Sequence, residues 1–466
     1  MSLPHVVILG GGPAGVGGAF YLTRAGRGRV TVLEQQPVLG GNAGSFDLEG
    51  VHVDHGSHRL HHASDPEILA DLKALLGSDL VNNPRQGRIR LRGRWVHFPL
   101  KPVDLLLRLD KGFAAGSLRD MAIRAAGKRR DEGDTFASVL QANLGPTICE
   151  HFYFPYARKM WGRPPEKLSA IQARKRVSAG TFGKLLKRLM KPPAAGTFYY
   201  PKRGYGQITE ALARAATDRG ATIETGMRVT ALERSSTGRG WSVTAERDGQ
   251  HTFHADYVWS TLPTPLVARM MRPTAPAEVL SAAGSISYRA MVLAYLVLDV
   301  DQFTPTDAHY FPEENVAMTR LSEPKNYARV TEPTNRTVLC AELPCQPEDA
   351  LWTMSDDDVG RLVAEDLARA GIPLSRPPIR VVTRRLRHAY PIYPTGYEVP
   401  FGTLDDWADS LPDFLLYGRQ ALFAHDNTHH GLYMARAAVD CLTAEGFDRD
   451  KWQRYRGVFA THVVED

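Results

Sequence analysis

The chain has 466 residues, 43% of them hydrophobic and 23% charged, the balance of an ordinary globular protein of two or three domains rather than a disordered or fibrous one. No stretch approaches the roughly 20 apolar residues of a membrane span, which argues against an integral membrane segment. The formal net charge of +6 suits an anionic ligand, yet much of the excess is arginine spread along the chain, which argues against nucleic acid.

The first element is the most informative. The apolar run 6–9 predicts a buried parallel strand. Gly10, Gly12 and Gly15 then form a G-x-G-x-x-G turn, Ala19 and Leu22 continue the apolar face of a helix, and a second strand ends on Glu34. Gly10 permits the tight turn, Gly12 lets a pyrophosphate approach the backbone, and Gly15 lets helix and strand pack closely, with the helix N-terminus facing the phosphates. Glu34 follows Gly15 by 19 residues, as an acceptor for adenosine ribose hydroxyls should, and argues against a 2′-phosphate. A bound dinucleotide is expected. The first strand is reached within a few residues of Met1, and on this reading no leader is expected. Cys149, Cys340, Cys345 and Cys441 are scattered without metal spacing or a paired framework, which fits reduced thiols in the cytoplasm.

The alternation over 88–99, with a turn near Arg92-Gly93, predicts a hairpin. From residue 101 to 191 the pattern is helical, with Phe136, Val139, Leu140 and Leu144 on one face and proline punctuation at Pro146, Pro155 and Pro164. The basic run 183–191 has the composition of an amphipathic helix able to touch lipid; the plainer reading is a solvated helix end. Residues 199–262 return to an α/β pattern, with a helix over 208–219, strands at 222–225 and 229–233, and a strand over 255–262 ending in a small-residue turn that points at the cofactor. Runs such as 289–300 and 338–343 predict a mainly antiparallel sheet carrying a substrate site. A strand, a loop and a helix over 414–447 are expected to close the cofactor site.

Gly40-Gly41-Asn42-Ala43 lies just after the second strand, where flavoproteins of the amine oxidase type carry a second glycine turn, so FAD is expected rather than NAD. The chain resembles the flavin-dependent UDP-galactopyranose mutases, within the wider amine oxidase and protoporphyrinogen oxidase type of FAD proteins, in order over nearly its whole length. His55-Gly56-Ser57-His58 looks like the mutases' glycine-histidine loop, and Arg94-Trp95 with Phe98-Pro99, Phe154-Pro155-Tyr156 and Lys159-Met160-Trp161-Gly162 have counterparts. Thr319-Arg320-Leu321-Ser322-Glu323-Pro324-Lys325-Asn326-Tyr327 is close to the segment whose arginine contacts the substrate diphosphate, and Gly418-Arg419 with Asn427 to Asp440 resembles the segment that grips the flavin and pyrophosphate, with Asn427 and His430 in matching places.

The resemblance implies an α/β fold: a FAD-binding Rossmann-like domain of the two-dinucleotide-binding type (1–100, 195–270 and 405–466), an inserted helical domain (101–194) and an antiparallel-sheet substrate domain (271–404). It implies an isomerase in which N5 of reduced FAD attacks the anomeric carbon of a nucleotide sugar, and the sugar recloses in the other ring size. The alternative is a FAD oxidoreductase taking hydride from a biosynthetic substrate. In the first case a reductant such as NAD(P)H primes the flavin, and the partners are a nucleotide sugar or glycan precursor and a second copy of the chain.

His58 is then expected at the flavin N5 edge, with Arg320 and Arg176 clamping the departing diphosphate through their fixed forks of donors. Tyr390, Phe423, Tyr327 and Trp161 are the substrate-binding candidates; Phe423 falls where mutases carry a tyrosine. Gly10, Gly12, Gly15, Glu34, Gly41, Asn42, Val229, Gly418, Arg419, Asn427 and His430 are the cofactor-binding candidates, Val229 through its backbone at the adenine. His429 and His430 read either as an acid-base pair or, more plainly, as support for the flavin loop. His55, His61 and His62 follow no helical ligand spacing, and no metal is expected.

Overall fold

In the computed structural model the described residues are 3–98, 104, 108–125, 133–175, 196–236 and 238–464. Arg176, Pro99 and the basic run 183–191 lie outside them. The opening unit folds as its pattern predicts, with β1 (His5–Leu9), α1 (Pro13–Ala25) and β2 (Arg29–Leu33) in order. β1 is buried on both faces because it is central in a five-stranded parallel sheet, ordered Phe414–Leu416, Tyr257–Ser260, β1, β2, Thr222–Glu224. Chain order reverses on either side of β1, and a ligand crevice is expected above the carboxyl ends of the strands there.

A four-stranded sheet, with Arg228–Arg234, Trp241–Glu246 and Gln250–Ala255 as an antiparallel meander, stands beside it. The remaining large sheet has seven strands and supplies the opposite wall. Tyr288–Leu298, second from one edge, is paired antiparallel with Thr337–Cys345 on its inner side and with the edge strand Arg380–Pro391 on the other. Alternation along that strand divides the interior in two. Ala290, Val292, Ala294 and Leu296 pack towards Val359, Val363 and Leu367 of the helix Asp356–Arg369. Met291, Leu293, Tyr295 and Val297 face the other way, with Phe136, Leu140, Phe154 and Trp161 of the helical segment in the same cluster.

The hairpin Gly87–Leu91 and Arg94–Phe98 forms where alternation predicts it, with Arg92 and Gly93 in the left-handed region that its two-residue turn requires. Although it falls within 1–100, it is hydrogen-bonded into the seven-stranded sheet, parallel to Ala308–Tyr310. The pattern did not foretell the last helix, Arg449–Ala460, which packs on Thr428–Cys441.

Candidate active site

One cavity of about 1080 Å³ runs between the parallel sheet and the seven-stranded sheet. Its floor is the first glycine turn. Gly10 has φ +101°, and an added Cβ would sit 2.4 Å from Thr261 Oγ1; a Cβ on Gly15 would sit 1.9 Å from the Gly10 carbonyl oxygen. These two glycines allow close packing. Gly12 differs: an added Cβ would find only Gly40 O, 4.0 Å away, so its missing side chain leaves the mouth of α1 open to the cavity. The second turn docks directly on the first, since Gly40 N donates to Gly11 O at 2.9 Å and a Cβ added to Gly41 would lie 3.4 Å from Gly12 Cα.

Glu34 lines the cavity beside Val229, with Oε2 accepting from Gly11 N and Oε1 from Gln36 N, each at 2.7 Å. Burial pushes its carboxyl pKa up against these bonds. Each oxygen keeps a lone pair for a ribose hydroxyl. Opposite, Asn427 and Thr428 open the helix Thr428–Cys441, so a second helix N-terminus meets the cavity with that of α1. Two such ends favour an anion between them. These residues fit a dinucleotide: an open pyrophosphate seat at Gly12, a fixed acid for the ribose, and Gly41, Asn42 and Arg419 further along the same lining.

His58 also lines the cavity, stacked on Tyr205 at 5.2 Å. Its Nδ1 donates to Gly56 O at 3.1 Å, which leaves Nε2 as an acceptor. Burial, together with the nearby charges of Arg320 and Arg419, lowers its pKa to about 3, so the ring is neutral near pH 7. Arg320 is at the wall but not free. Its Nε and Nη2 form a bidentate pair with buried Glu342, both at 2.8 Å, and Glu342 Oε1 also accepts from Ser57 N. Burial opposes the guanidinium charge, and Glu342 with Tyr310 and Tyr390 more than offsets it, raising the pKa above its ordinary value. Both hydrogens of Nη1 and the second hydrogen of Nη2 are left over from this pair. Tyr390 lines the cavity with the Arg419 guanidinium 5.0 Å over its ring.

Three substrate candidates stand behind the wall instead. Tyr327 is 2% exposed and bonds Ser57 and the buried Arg59–Asp307 pair. Phe423, at φ +47°, is enclosed by Tyr288, Tyr393 and Phe401. Trp161 packs edge-on to Phe136 and His425. Each is held by aromatic or polar neighbours of the core, which the matching letters alone could not reveal. Gly15 and Gly418 likewise act through packing: a Cβ on Gly418, at φ +86°, would meet Ala14 at 2.8 Å. His430 is off the cavity too, and its Nδ1 accepts from Asn427 N at 3.2 Å, closing a capping box. Burial drives the pKa of His429 down to about 4 and that of His430 to about 2, so neither is a cationic acid at neutral pH.

Asp426, His430 and His462 bring their ligating atoms within 4.8 Å of one another, a grouping the sequence spacing did not suggest. The two imidazoles are stacked 4.2 Å apart at 13°, so their in-plane lone pairs run side by side rather than converging. The residues the sequence missed lie on the strand Arg380–Pro391, where Arg384, Arg385, Arg387 and His388 all line the cavity. A period of two counted back from Tyr390 reaches Arg384 and was the available signal.

A doubly wound sheet with two docked glycine turns, roofed by a second sheet over one cavity, is the architecture of a flavoprotein enzyme. The chain belongs to the flavin-containing amine oxidoreductase family, whose model matches residues 13–439, and FAD is its cofactor. Among relatives, it is 28% identical over 311 residues to phytoene dehydrogenase of Streptomyces griseus, covering 58% of this chain and only 56% of that protein. It is 22% identical over 425 residues to coproporphyrinogen III oxidase of Bacillus subtilis (strain 168), covering 84% and 88%. Among solved structures it is similar to a reduced UDP-galactopyranose mutase, with TM-score 0.80, 20% identity and coverage of 99% of this chain and 100% of that one. A putative protoporphyrinogen oxidase from Exiguobacterium sp. 255-15 has TM-score 0.74, 22% identity and coverage of 94% and 98%. These likenesses establish the fold. Among the described residues no helix is long and apolar enough to cross a membrane.

Proposed function

We propose that the protein is a FAD-dependent mutase that interconverts the pyranose and furanose forms of a nucleotide sugar. The observation that carries this reading is the charge of the substrate wall. Beyond the glycine turns that suit the cofactor's pyrophosphate and the mutually neutralised Arg320–Glu342 pair, the cavity is lined by Arg384, Arg385 and Arg387 of one strand, an excess of cations suited to a second anion. A polyene would bring those guanidinium groups no counter-anion while displacing their water, which disfavours a phytoene-like substrate.

Glu34 would hold the adenosine ribose, Gly12 and the end of α1 the pyrophosphate, and Asn42, Arg419 and Asn427 the flavin end. When bound and reduced, FAD supplies a nucleophilic nitrogen for the anomeric carbon. Neutral His58 would offer Nε2 to the cavity as an acceptor, and Arg320, immobilised by Glu342, would present Nη1 as a fixed donor to the leaving diphosphate. Holding that donor in place beforehand avoids reorganisation when charge develops.

The second reading is a porphyrinogen oxidase, since a substrate with several carboxylates would satisfy the same arginines. Dithionite-reduced holoenzyme should convert a UDP-hexose between ring forms, followed by chromatography of the sugar nucleotides, while oxidised holoenzyme should not. No conversion across a nucleotide-sugar panel, combined with aerobic oxidation of coproporphyrinogen, would replace the first reading with the second.

A further inference from the structure

Arg384, Leu293, Glu342, Arg320 and Tyr310 stand directly opposite one another on successive strands of the seven-stranded sheet. Residues opposed in this way share a face, and all but Tyr310 line the cavity. The two arginines of the row, three strand spacings or roughly 14 Å apart at the backbone, are in opposite states. Arg320 is matched by Glu342 on two nitrogens, so the pair carries no net charge towards a ligand. Arg384 makes no hydrogen bond or ion pair among the described residues and rests 4.3 Å over the ring of Phe46.

Phe46 also neighbours His55, whose ring lies 5.9 Å away. His55 lines the cavity and is 8% exposed; its Nδ1 bonds Gly41 O at 2.8 Å, and its buried Nε2 has no partner. A carbonyl oxygen can only accept, so Nδ1 carries the proton and Nε2 is a bare acceptor. Buried polar atoms are nearly always paired, and an unmatched acceptor beside an unmatched cation, on one cavity wall, is the arrangement expected where a ligand supplies the partners.

We propose that Arg384 binds the anionic group of the substrate, a diphosphate or a carboxylate, with His55 Nε2 accepting from a hydroxyl or N–H next to it. The inference rests on the reading above only for which of these anions it is. It separates two duties on one row of the sheet: Arg320 is a neutralised, rigid donor, and Arg384 supplies the net positive charge that draws the substrate in.

The test is calorimetric titration of the FAD-loaded protein with UDP, inorganic pyrophosphate and coproporphyrin III, for wild type, Arg384→Ala and Arg384→Lys, with FAD content measured on each preparation. Arg384→Ala should keep its FAD and bind the preferred anion about 10- to 100-fold more weakly, and Arg384→Lys should recover part of the loss. Weakened UDP and pyrophosphate binding supports both the subsite and the mutase reading. Weakened coproporphyrin binding in a protein that ignores UDP supports the subsite and removes the mutase reading. Unchanged affinity, loss of FAD from Arg384→Ala, or a wild type that binds none of the three anions overturns the proposal.

Discussion

The glycine turns and the arginine wall face each other across one cavity and recognise ligands by different means. At the turns, recognition lies in the backbone: Gly12 leaves an opening, two helix ends point into it, and the only charged side chain of the first unit in the lining, Glu34, is fixed by Gly11 and Gln36 amides. At the wall, recognition lies in side chains whose state depends on what stands opposite on the neighbouring strand, Glu342 for Arg320 and Leu293 for Arg384, so two arginines in one row have opposite availability. A backbone site breaks when an atom is added, whereas a side-chain site breaks when a partner is removed.

The largest contrast is expected within the turn itself. Gly15→Ala puts a methyl 1.9 Å from a backbone oxygen that cannot move without opening the β1–α1 junction, and should destabilise the apoprotein by about 3 kcal/mol or more. Gly12→Ala adds its methyl to open space and should leave apoprotein stability within about 0.5 kcal/mol of wild type while sharply weakening FAD binding. Urea unfolding of apoprotein and FAD titration of both variants separate the two cases. Equal behaviour would erase the distinction between packing and ligand-facing glycines.

On the wall, removing one partner of the Arg320–Glu342 pair leaves a buried charge uncompensated. Arg320→Ala and Glu342→Gln should each destabilise by about 3 to 5 kcal/mol, whereas the paired change Arg320→Met with Glu342→Leu should restore most of that stability. Under the mutase reading Arg320→Ala also loses turnover with flavin still bound, and the paired change should recover the fold without the turnover. Restored turnover would confine Arg320 to a structural role.

A smaller effect is expected at His309, 2% exposed between Trp95 and Phe311 in the same sheet. Burial, assisted by the charge of Arg88, pushes its pKa down to about 3. The folded ring therefore stays neutral while the unfolded one takes up a proton below about pH 6.5, so this stability is present above that pH and is lost as pH falls towards 3. His309→Gln should flatten the decline in unfolding free energy between pH 6.5 and 4 by up to about 1.4 kcal/mol per pH unit. An unaltered slope in denaturant titrations would show that the ring is not held neutral.

What could be read in the chain follows the same division. The β1–α1–β2 unit and Glu34 were legible because strand, turn, helix and acid are contiguous and each letter has a local steric reason. Arg320 was legible as a motif, but its partner Glu342 is 22 residues away and is brought opposite only by antiparallel register. Arg384 was missed for a related reason: a period of two sets it on the face of Tyr390, but a basic residue on an edge strand looks solvated until the fold shows that this edge faces a cavity rather than water. The last turns of the helical segment before residue 176 and the lining residues His425 and Asp426 meet only through tertiary contact, as in the bond between Gln172 and His425.

Phe423 gives the smallest expected effect and the sharpest check on inference by matching letters. Alignment sets it where mutases carry a substrate-contacting tyrosine, yet its ring is 3% exposed, crossing Tyr288 at 5.1 Å and packing 5.5 Å from Phe401, while its carbonyl accepts from the Tyr393 hydroxyl. Phe423→Tyr therefore adds a hydroxyl to an aromatic enclosure, not to the cavity. The expected outcome is an unfolding free energy lower by about 1 to 3 kcal/mol, the cost of an unmatched buried hydroxyl, with the affinity for UDP or coproporphyrin III unchanged. Tighter anion binding in that variant would return position 423 to the substrate site and require the segment after Arg419 to reach the cavity by a different path.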